Sequence, residues 1–388
     1  MTGNSLAKTP QTVDVAVVGA GIIGASCAFH LARRGVRVAV LESYEGPAMG
    51  SSGRSFAGVR AQWTDPVNIR LSWAGIQTYR DFATLHGVDA GYRPLGYLLL
   101  VPEDRWAAQL AAVELQRSLG VAVEVLSPEE AQRHASFVPD GIGGCTWGPG
   151  DGVVDPHLVT ATYLAMARDL GASVSYRREV VSVDRRDGRW ELATAQGRVR
   201  ARQVVNAAGG WAGELAALAG LRVPVRHVRR MVFAGAQGAV ERPSPMTIDV
   251  ASGFFLRGEG ARLLLGRANP AEAPGYTTRI DWDWLEHVLA SGVRRFPWLA
   301  EVPIDPTASW AGTYEITPDH LPFLGAMPGA PGWINACGFS GHGVMQAPAV
   351  GRLIAEEAVD GRAHSIDIDA LRIERLAETG TRGGTLVF

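Results

Sequence analysis

The fold of this chain is decided by VDVAVVGAGIIG, residues 13–24, in which a mostly apolar run stops at a set of spaced glycines. The apolar run predicts a buried strand, and the residues after the glycines predict a helix to about Arg34. Residues 36–41, VRVAVL, predict a second strand that finishes at Glu42. Strand, glycines, helix, second strand and terminal acid together predict a βαβ unit that binds a dinucleotide.

The residues of this unit have separate roles in holding a dinucleotide. Gly19 allows the tight turn, Gly21 lets the backbone approach a pyrophosphate, and Gly24 lets the helix pack close to the strand. The N–H groups at the helix start, at Ile22 and Ile23, would face the anion. We therefore assign all five residues to the cofactor.

The acid at the end of the second strand narrows the choice of dinucleotide. Glu42 would bind both hydroxyls of an adenosine ribose, with Ser43 in the same site. A carboxylate there disfavours a 2′-phosphate, so NADP is a poor candidate. The βαβ unit alone does not separate NAD from FAD.

Composition favours an enzyme that acts on a small molecule. The 388 residues are 47% hydrophobic and 20% charged, which is enough apolar content for a sizeable core. A net charge of −2 without a basic stripe gives no reason to expect nucleic acid or an anionic membrane as a partner. Residues 1–12 lack the apolar core of a signal peptide, and no run reaches ~18 apolar residues. We expect a soluble cytoplasmic protein without a transmembrane segment.

Two residue types limit the chemistry. Cys27, Cys145 and Cys337 are far apart and lack CxxC spacing, so neither a disulfide framework nor a metal site is indicated. The only lysine is Lys8. Schiff-base chemistry, and an ammonium group poised beside a cofactor, are therefore not expected.

Three later segments bear on the choice between NAD and FAD. In the loop GSSGRS, residues 50–55, Ser51, Ser52, Arg54 and Ser55 could supply hydroxyl groups and a charge to phosphates, although a polar surface loop is the alternative. The segment VVNAAGGW, residues 204–211, predicts a strand that ends in small residues. The segment GFSGHGVM, residues 338–345, predicts a glycine-rich turn that leads into a helix over 347–359.

Together these segments resemble the D-amino-acid-oxidase-like superfamily of flavoenzymes, which includes glycine oxidase and sarcosine oxidase. The resemblance extends from Asp14 to about Gly361, with the segments in the family's order. The stretch GTYEITPDHLPFLG, residues 312–325, is especially similar to the flavoprotein subunits of bacterial proline and sarcosine dehydrogenases.

The resemblance implies an FAD cofactor and further residues that contact it. The backbone of Val180 would meet the adenine, and the turn at 338–345 would lie beside the flavin. A helix N-terminus there would stabilise the negative charge of the reduced flavin. The further cofactor residues implied are Ala207, Ala208, Gly209, Trp211, Gly312, Gly338, Ser340, Gly341, His342, Gly343, Val344 and Met345.

Departures from the family bear on substrate binding and on flavin attachment. Glycine oxidases have a carboxylate-binding arginine near the position of Tyr314. In monomeric sarcosine oxidases the cysteine that carries the flavin would fall close to Gly312, and two lysines near Leu264 and Met345. All of these are missing here. We therefore expect non-covalent FAD, and either oxygen or another carrier as the electron acceptor.

The predicted fold class is α/β, with a Rossmann-type FAD-binding domain interleaved with a smaller α+β substrate domain on an antiparallel sheet. The FAD-binding domain is predicted over 12–91, 150–222 and 307–370. The substrate domain is predicted over 92–149 and 223–306, and tails over 1–11 and 371–388.

Candidate catalytic residues are fewer. Arg60 and Arg257 could each hold a carboxylate by a bidentate pair, but an arginine on a solvent-facing strand or paired with an acid is the alternative, especially for Arg257. Tyr314 could belong to an apolar wall with Trp63, Phe254 and Phe255, although aromatic residues in strands are more often core. His342 could accept a proton or simply form part of its turn. Glu315 and Asp319 could bind a substrate ammonium, but acids before a proline-rich strand are usually turn residues, so neither is given a catalytic role.

The function expected from these features is FAD-dependent oxidation of the CH–NH bond of a secondary amine or amino acid, by hydride transfer to flavin N5. Alternatives remain open. The chain could be a non-catalytic or complex-dependent flavoprotein subunit, with other subunits as partners, or it could act on a non-amine substrate. An NAD-dependent dehydrogenase would leave residues 338–345 unexplained.

Overall fold

The computed structural model of the chain describes residues 11–240 and 244–378. These residues divide into two compact units, each built from separate stretches of chain. The first unit comprises the described parts of 1–53, 156–227 and 315–384, and the second comprises 54–155 and the described part of 228–314. Residues 1–10 of the predicted N-terminal tail, with Lys8, lie outside the described residues.

The helices and strands have the following bounds. The α-helices are α1 Ile22–Arg33, α2 Pro66–Arg80, α3 Phe82–His86, α4 Glu103–Ser118, α5 Pro128–Ala131, α6 Pro156–Asp169, α7 Ala212–Leu218, α8 Asp283–Arg295, α9 Gly343–Asp360 and α10 Arg375–Glu378. The strands are β1 Gln11–Val18, β2 Val38–Leu41, β3 Gly58–Val59, β4 Tyr97–Pro102, β5 Glu124–Leu126, β6 Ile142–Gly148, β7 Gly152–Val153, β8 Ser173–Ser175, β9 Ser182–Arg186, β10 Arg189–Thr194, β11 Gly197–Asn206, β12 Arg226–Ala234, β13 Met246–Asp249, β14 Phe254–Glu259, β15 Arg262–Gly266, β16 Trp310–Ile316, β17 Phe323–Ala326 and β18 Trp333–Cys337.

The first unit is built on a sheet that has eight strands among the described residues. Their order is β17-β18-β11-β1-β2-β8, and the hairpin of β9 and β10 joins at β11. Strand β1 pairs in parallel with β2 and with β11, in registers that place Val18 beside Leu41 and Asn206. The carboxyl ends of these strands therefore meet at one edge, where parallel α/β sheets bind ligands. The apolar run in β1 is explained by burial on both faces.

Helices α1 and α9 pack against each other in this unit. Ten of the twelve residues of α1 are buried, so the helix lies between two layers and not at the surface. Small residues let the two helices approach: a Cβ added to Gly351 of α9 would lie 2.6 Å from the carbonyl carbon of Ser26 in α1. Helix α9 ends at Gly361, whose φ of 81° is the left-handed conformation common after helices.

The second unit contains a sheet with strand order β16-β12-β15-β14-β13-β4-β6-β5. Helix α8 buries Val288 in a core with Phe233, Phe254 and Leu98 from the sheet. The sheet was expected to be antiparallel, and most of its pairs are, but β4 and β13 run parallel. More than a hundred residues separate these two strands, so no hairpin turn fixes their relative direction. The predicted mixed α/β fold class is confirmed by the two sheets and their helices.

The division of the chain differs from the predicted boundaries. Residues 54–91, predicted for the FAD-binding domain, belong to the second unit. Two contacts explain this: β3 pairs with β7, and the Gln62 side chain donates to the Tyr97 carbonyl at 3.1 Å. Residues 150–155, 223–227 and 307–314 also change sides.

The predicted C-terminal tail starts too early. Leu371 is fully buried, and Arg375 donates two hydrogen bonds to the Asp319 carboxylate, at 2.7 and 2.9 Å. This ion pair fixes the chain as far as α10. Residues 379–388 of the predicted tail lie outside the described residues.

Three further properties concern the described residues as a whole. None of their helices is both long and apolar enough to cross a bilayer. Cys27, Cys145 and Cys337 are buried free thiols. No cluster of three or more histidine, cysteine or acidic side chains that could hold a metal ion occurs in the described part of the chain.

Candidate functional site

A cavity of about 700 Å³ opens at the carboxyl edge of the first unit's sheet. This volume lies in the ~300–1,000 Å³ range of small-molecule sites. Many predicted cofactor residues line it: Gly19, Gly21, Ile22, Ile23, Glu42, Ser43, Ser51, Ser52, Val180, Ala207, Ala208, Gly209 and Trp211. The structure thus brings together segments that lie far apart in the sequence.

The glycines at the start of α1 are required by close backbone approaches. Gly19 has a φ of 107°, and a Cβ there would lie 2.3 Å from the Ala207 carbonyl oxygen. Gly24 does not line the cavity, and a Cβ there would be 2.0 Å from the Gly19 carbonyl oxygen. Gly21 is different, because the nearest atom to its Cβ would be Ser52 Oγ at 3.2 Å. Gly21 lines the cavity, so its predicted role in letting the backbone approach a pyrophosphate stays a prediction.

Glu42 is held in a fixed position at the end of β2. Its Oε2 accepts a hydrogen bond from the Ala20 backbone N–H at 2.6 Å, and its Oε1 accepts from the Tyr44 N–H at 2.9 Å. The Ser43 hydroxyl donates to the same Oε1 at 3.2 Å. The carboxylate is therefore oriented before any ligand arrives, which reduces the ordering cost of binding.

The predicted phosphate loop reaches the N-terminus of α1. The Ile22 backbone N–H donates to Ser52 Oγ at 3.0 Å, and Gly50, Ser51 and Ser52 all line the cavity. Arg54, Ser55 and Gly312, which were assigned to the same cofactor, belong to the second unit instead. There a Cβ on Gly312 would lie 2.8 Å from the Arg54 Cβ, so this glycine is explained by close packing.

Trp211 forms an aromatic part of the cavity wall. Its ring meets His227 edge-on with centroids 4.3 Å apart, and it meets Tyr44 in the same way at 6.0 Å. Burial lowers the pKa of His227 to about 4. The imidazole is therefore neutral at physiological pH and acts here as an apolar support.

Glu315, which the sequence assigned to a turn, lines the cavity. Its Oε2 accepts a hydrogen bond from the Gly338 backbone N–H at 2.9 Å, and its backbone carbonyl accepts from the Ser340 N–H at 3.0 Å. Burial raises the pKa of Glu315 to about 7, although hydrogen bonds from the Gly338 and Phe339 N–H groups oppose the shift. This carboxyl group therefore titrates near neutral pH.

The turn at 338–341 stands between β18 and α9 and is fixed partly by Glu315. Gly338, Ser340 and Gly341 all have positive φ, at 81°, 50° and 94°. A Cβ on Gly338 would lie 2.4 Å from Thr317 Cγ2, so no larger residue fits there. The seven assigned residues between 338 and 345 form this turn and the start of α9 in the first unit, and none of them lines the cavity.

In the second unit, Arg60 and its neighbours form a buried polar network. The Arg60 guanidinium lies 3.8 Å from the centre of the Trp63 ring, and burial lowers its pKa. Asp151 accepts hydrogen bonds from the Ala61 N–H and the Gln62 amide, both at 2.9 Å. Burial raises the pKa of Asp151 to about 6, against these hydrogen bonds and the nearby charge of Arg60. The network holds the segment that carries Arg60.

Arg257 fits the structural alternative better than a catalytic role. It donates to the Glu259 carboxylate at 2.7 Å and to the Phe56 carbonyl at 3.1 Å. The expected aromatic wall likewise belongs to the packing: Phe254 is fully buried in the core, and Phe255 packs edge-on against Phe56. Trp63 is also buried and donates from its indole to Ser72 at 2.9 Å.

Arg230 has a charge that no carboxylate among the described residues neutralises. Its guanidinium lies 4.9 Å from the centre of the Tyr314 ring, and one nitrogen donates to the Arg229 carbonyl at 2.9 Å. Its Nε is buried without a hydrogen-bond partner in the described part of the chain. Glu272, whose charge acts on Arg230, is itself bound by Arg229 at 3.0 and 3.1 Å. Burial lowers the pKa of Arg230.

Comparison with known proteins was decisive for the family. Residues 14–357 match the model of the FAD dependent oxidoreductase family, DAO. The chain belongs to this family. Among solved structures, this FAD-dependent oxidoreductase is similar to L-proline dehydrogenase from P. horikoshii, with a TM-score of 0.89 and 27% identity over 96% of this chain and 100% of that one. It is also similar to glycine oxidase from Geobacillus kaustophilus, with a TM-score of 0.81 and 25% identity over 94% and 99% of the two chains.

Among curated relatives, mouse dimethylglycine dehydrogenase is 28% identical to this oxidoreductase over 92% of the present chain. The chain spans only 44% of that protein's length. The expected resemblance to D-amino-acid-oxidase-like flavoenzymes is confirmed by the family match and by these relatives.

The cavity of this oxidoreductase fits its family's cofactor. Gly21 leaves the backbone at the N-terminus of α1 open to a diphosphate, and Glu42 is oriented to accept ribose hydroxyls. Ala207, Ala208 and Gly209 add small residues to the same wall. FAD is therefore the cofactor expected from both family and geometry.

Two residues described above were given no site role from the sequence, Glu315 in the first unit and Arg230 in the second. Glu315 and Arg230 both lie in strands, where alternation shows which residues share a face but not what that face contacts. The adjacent arginines Arg229 and Arg230 were a usable indication, because neighbours in a strand point to opposite faces and only one can meet Glu272.

Proposed function

We propose that this protein oxidises the CH–NH bond of a carboxylate-bearing amine, such as an N-substituted or cyclic amino acid, with FAD bound in the first unit's cavity. The observation that carries the proposal is that cavity, with the glycines of α1 and the oriented Glu42 carboxylate. The names of the relatives supply the substrate class, since proline, dimethylglycine and glycine are all amino acids.

The chain's first task would be to hold the cofactor without a covalent bond. Glu42 would accept hydrogen bonds from the ribose hydroxyl groups, and the backbone N–H groups at the N-terminus of α1 would bind the diphosphate. The bound FAD supplies the acceptor for the two electrons and the hydrogen that leave the substrate carbon. The N-terminus of α9 adds partial positive charge at its end of the first unit.

The second task would be to bind the substrate's carboxylate, and we assign it to Arg230. A half-buried guanidinium without a carboxylate partner is costly unless a ligand supplies the counter-charge. Tyr314 holds the guanidinium plane by a cation–π contact. Arg60 lies close enough to Tyr314 to affect its pKa, so it adds to the positive potential there.

Proton transfer would need little from the protein. A neutral amine can lose a hydride from the adjacent carbon with help from the nitrogen lone pair, so the site must mainly orient the substrate and exclude water. His342, which is buried at the start of α9, stays a proposed proton acceptor. The electron acceptor, whether oxygen or another carrier, any partner subunits and the cytoplasmic location stay proposals as well.

Anaerobic reduction of the purified flavoprotein tests this function. Sarcosine, dimethylglycine, L-proline, D-proline and glycine are each added, and the long-wavelength absorbance of oxidised flavin is followed. The matched controls are amines without the carboxylate: dimethylamine, trimethylamine, pyrrolidine and methylamine. We expect at least one carboxylated compound to bleach the flavin while its control does not. Bleaching by the controls alone would contradict the substrate class, and a protein that binds no FAD would contradict the function.

Readmission of air then identifies the class of electron acceptor. Rapid return of the oxidised spectrum would assign an oxidase, and a flavin that stays reduced until an artificial carrier is added would assign a dehydrogenase. This step starts from protein that the substrate has already reduced. The identity of the electron acceptor is therefore tested separately from the identity of the substrate.

A further inference from the structure

Glu315 places an ionisable carboxyl group in the wall of a cavity that suits an anionic cofactor. Its carboxyl group lies close to another residue of the wall, since a Cβ added to Gly209 would be 4.0 Å from Glu315 Oε2. No salt bridge among the described residues involves this carboxylate. Its hydrogen bonds come from backbone N–H groups of the turn that begins at Gly338.

This position differs from that of the other carboxylates in the wall. Glu42 is fixed by the Ala20 and Tyr44 N–H groups at the end of β2, and Glu179 and Glu214 are exposed to solvent. Glu315 is on β16, beside the turn that the sequence assigns to the flavin. A second negative charge in such a cavity raises the pKa of a carboxyl group, because like charges repel strongly where water is scarce.

We propose that Glu315 is a redox-linked proton acceptor: its carboxylate takes up one proton when the cofactor in this cavity gains negative charge on reduction. The electrons come from the reductant and the proton from the buffer. One O–H bond forms on the Glu315 carboxylate, and the buffer acid becomes its conjugate base. The step needs no amine substrate, so it is independent of the proposed function.

Several other ionisable groups surround Glu315, and each has to be compared with it as the acceptor of the proton. On its own strand the neighbour is Tyr314, whose pKa is raised by burial. Cys337 ends β18, and burial together with the Glu315 charge raises the pKa of its thiol well above the usual value. His227 on β12 supports Trp211 and titrates at about 4. The remaining ionisable groups are His342 at the start of α9 and the cavity-wall residues Glu42, Tyr44, Arg178, Glu179 and Glu214.

The pH dependence of flavin reduction in the holoprotein tests the proposal. The protein is equilibrated with an indicator dye and a non-amine reductant between pH 6 and 9. Above about pH 7, where Glu315 in the oxidised protein is ionised, the reduced-to-oxidised ratio of the wild type should fall by one additional factor of ten per pH unit compared with that of Glu315→Gln. A tenfold change equals ~30 mV for a two-electron couple. Parallel curves for the two proteins would overturn the proposal.

Two variants and one spectrum distinguish Glu315 from the neighbouring groups that could take up the proton. Glu214→Gln removes an exposed carboxylate of the same wall and should keep the wild-type steepness. Loss of the extra steepness in His342→Gln but not in Glu315→Gln would overturn the proposal. If Glu315→Gln does not retain FAD, the infrared difference spectrum of the wild type at pH 8 decides. A protonated carboxyl band that appears on reduction supports the proposal, and its absence overturns it.

Discussion

At the scale of single residues, the arginines of the second unit separate into paired and unpaired charges. Arg257 is bound by Glu259, and Arg229 by Glu272 and Asp281. Arg230 forms no salt bridge with a carboxylate among the described residues, although it follows Arg229 directly. A binding role is therefore assigned to Arg230 by its lack of a counter-charge.

Replacing Arg230 tests this assignment. A lost hydrogen bond between charged groups costs ~1.5–3 kcal/mol, so we expect Arg230→Met to raise the KM for a carboxylated substrate by ~10–100-fold. The rate of flavin reduction at saturation should change much less. Arg262→Met is the matched control, because Arg262 is already bound to Asp305 at 2.7 Å. Stopped-flow reduction over a range of substrate concentrations measures both quantities, and equal effects of the two substitutions would refute the role.

Asp151 predicts a pH dependence of stability. Its pKa in the folded protein is about 6, above the ordinary value of 3.8, so the folded state binds its proton more tightly than the unfolded state does. This contribution to stability is complete below pH 3.8 and is lost as the pH rises through 6. Asp151→Asn cannot ionise. Relative to the wild type, it should gain ~2 kcal/mol of unfolding free energy between pH 4 and pH 7, on top of a constant cost for the altered hydrogen bond to Gln62.

The control for this prediction is Asp305→Asn in the same unit. Hydrogen bonds from Thr307 and Arg262 lower the pKa of Asp305 to about 2. Its contribution is lost only as the pH falls from 3.8 through 2, so the stability difference from the wild type should be constant between pH 4 and pH 7. Urea midpoints at one-unit intervals measure both variants. A flat difference for Asp151→Asn would show that its proton is not bound more tightly on folding.

What the sequence could predict at this scale follows from the kind of evidence needed. Gly19, Gly24 and Glu42 were predictable because a local pattern of strand, turn and helix determines their surroundings. Glu315 and Arg230 were not, because their importance depends on burial and on which charges are absent nearby. Such information exists only after distant strands have been brought together.

At the scale of elements, the close contact between α1 and α9 limits which side chains the first unit can accept where the two helices meet. The two helices come from opposite ends of the chain and meet through small residues. The sequence predicted both helices, but it could not predict that they touch. The parallel pairing of β4 with β13 was unpredictable for the same reason, since strand direction there is not fixed by a short turn.

Gly351 is the position at which this contact can be tested. A Cβ there would lie 2.1 Å from Ser26 Oγ and 2.7 Å from the Ser26 carbonyl oxygen, so the helices must separate to accept any side chain. We expect Gly351→Val to cost ~2–4 kcal/mol of stability and to weaken FAD retention. Arg352→Ala, one residue further on an exposed face of α9, should change stability by less than ~0.5 kcal/mol. Thermal unfolding measures both, and similar melting temperatures would contradict the close contact.

At the scale of the whole molecule, the three thiols report on the two units separately. Cys27 and Cys337 are buried in the first unit, and Cys145 is buried in the second. Burial raises the pKa of Cys145 to about 12, and it raises those of the other two as well, so few reactive thiolates exist in the folded protein. Each unit has its own apolar core.

We therefore predict that FAD protects the thiols unequally. In moderate denaturant, FAD at 100 times its Kd should slow alkylation of Cys27 and Cys337 by about 100-fold, because a ligand stabilises the state that binds it by ~2.7 kcal/mol at this excess. Alkylation of Cys145 should slow much less. Mass spectrometry of each cysteine peptide measures the rates. Equal protection of all three would mean that the units open together.

The interleaved chain also has a consequence for how the protein is made. Strand β1 ends at Val18, but β18, which completes the parallel ladder through β11, starts at Trp333. At ~5–20 residues per second, a ribosome delivers that strand roughly 15–60 s after the first. During this time the nascent chain exposes the edge of β11 that later pairs with β18, and an unpaired strand edge favours aggregation. A premature stop codon before β18 therefore leaves a sheet without that strand for the cell's chaperones and proteases, not a smaller flavoprotein.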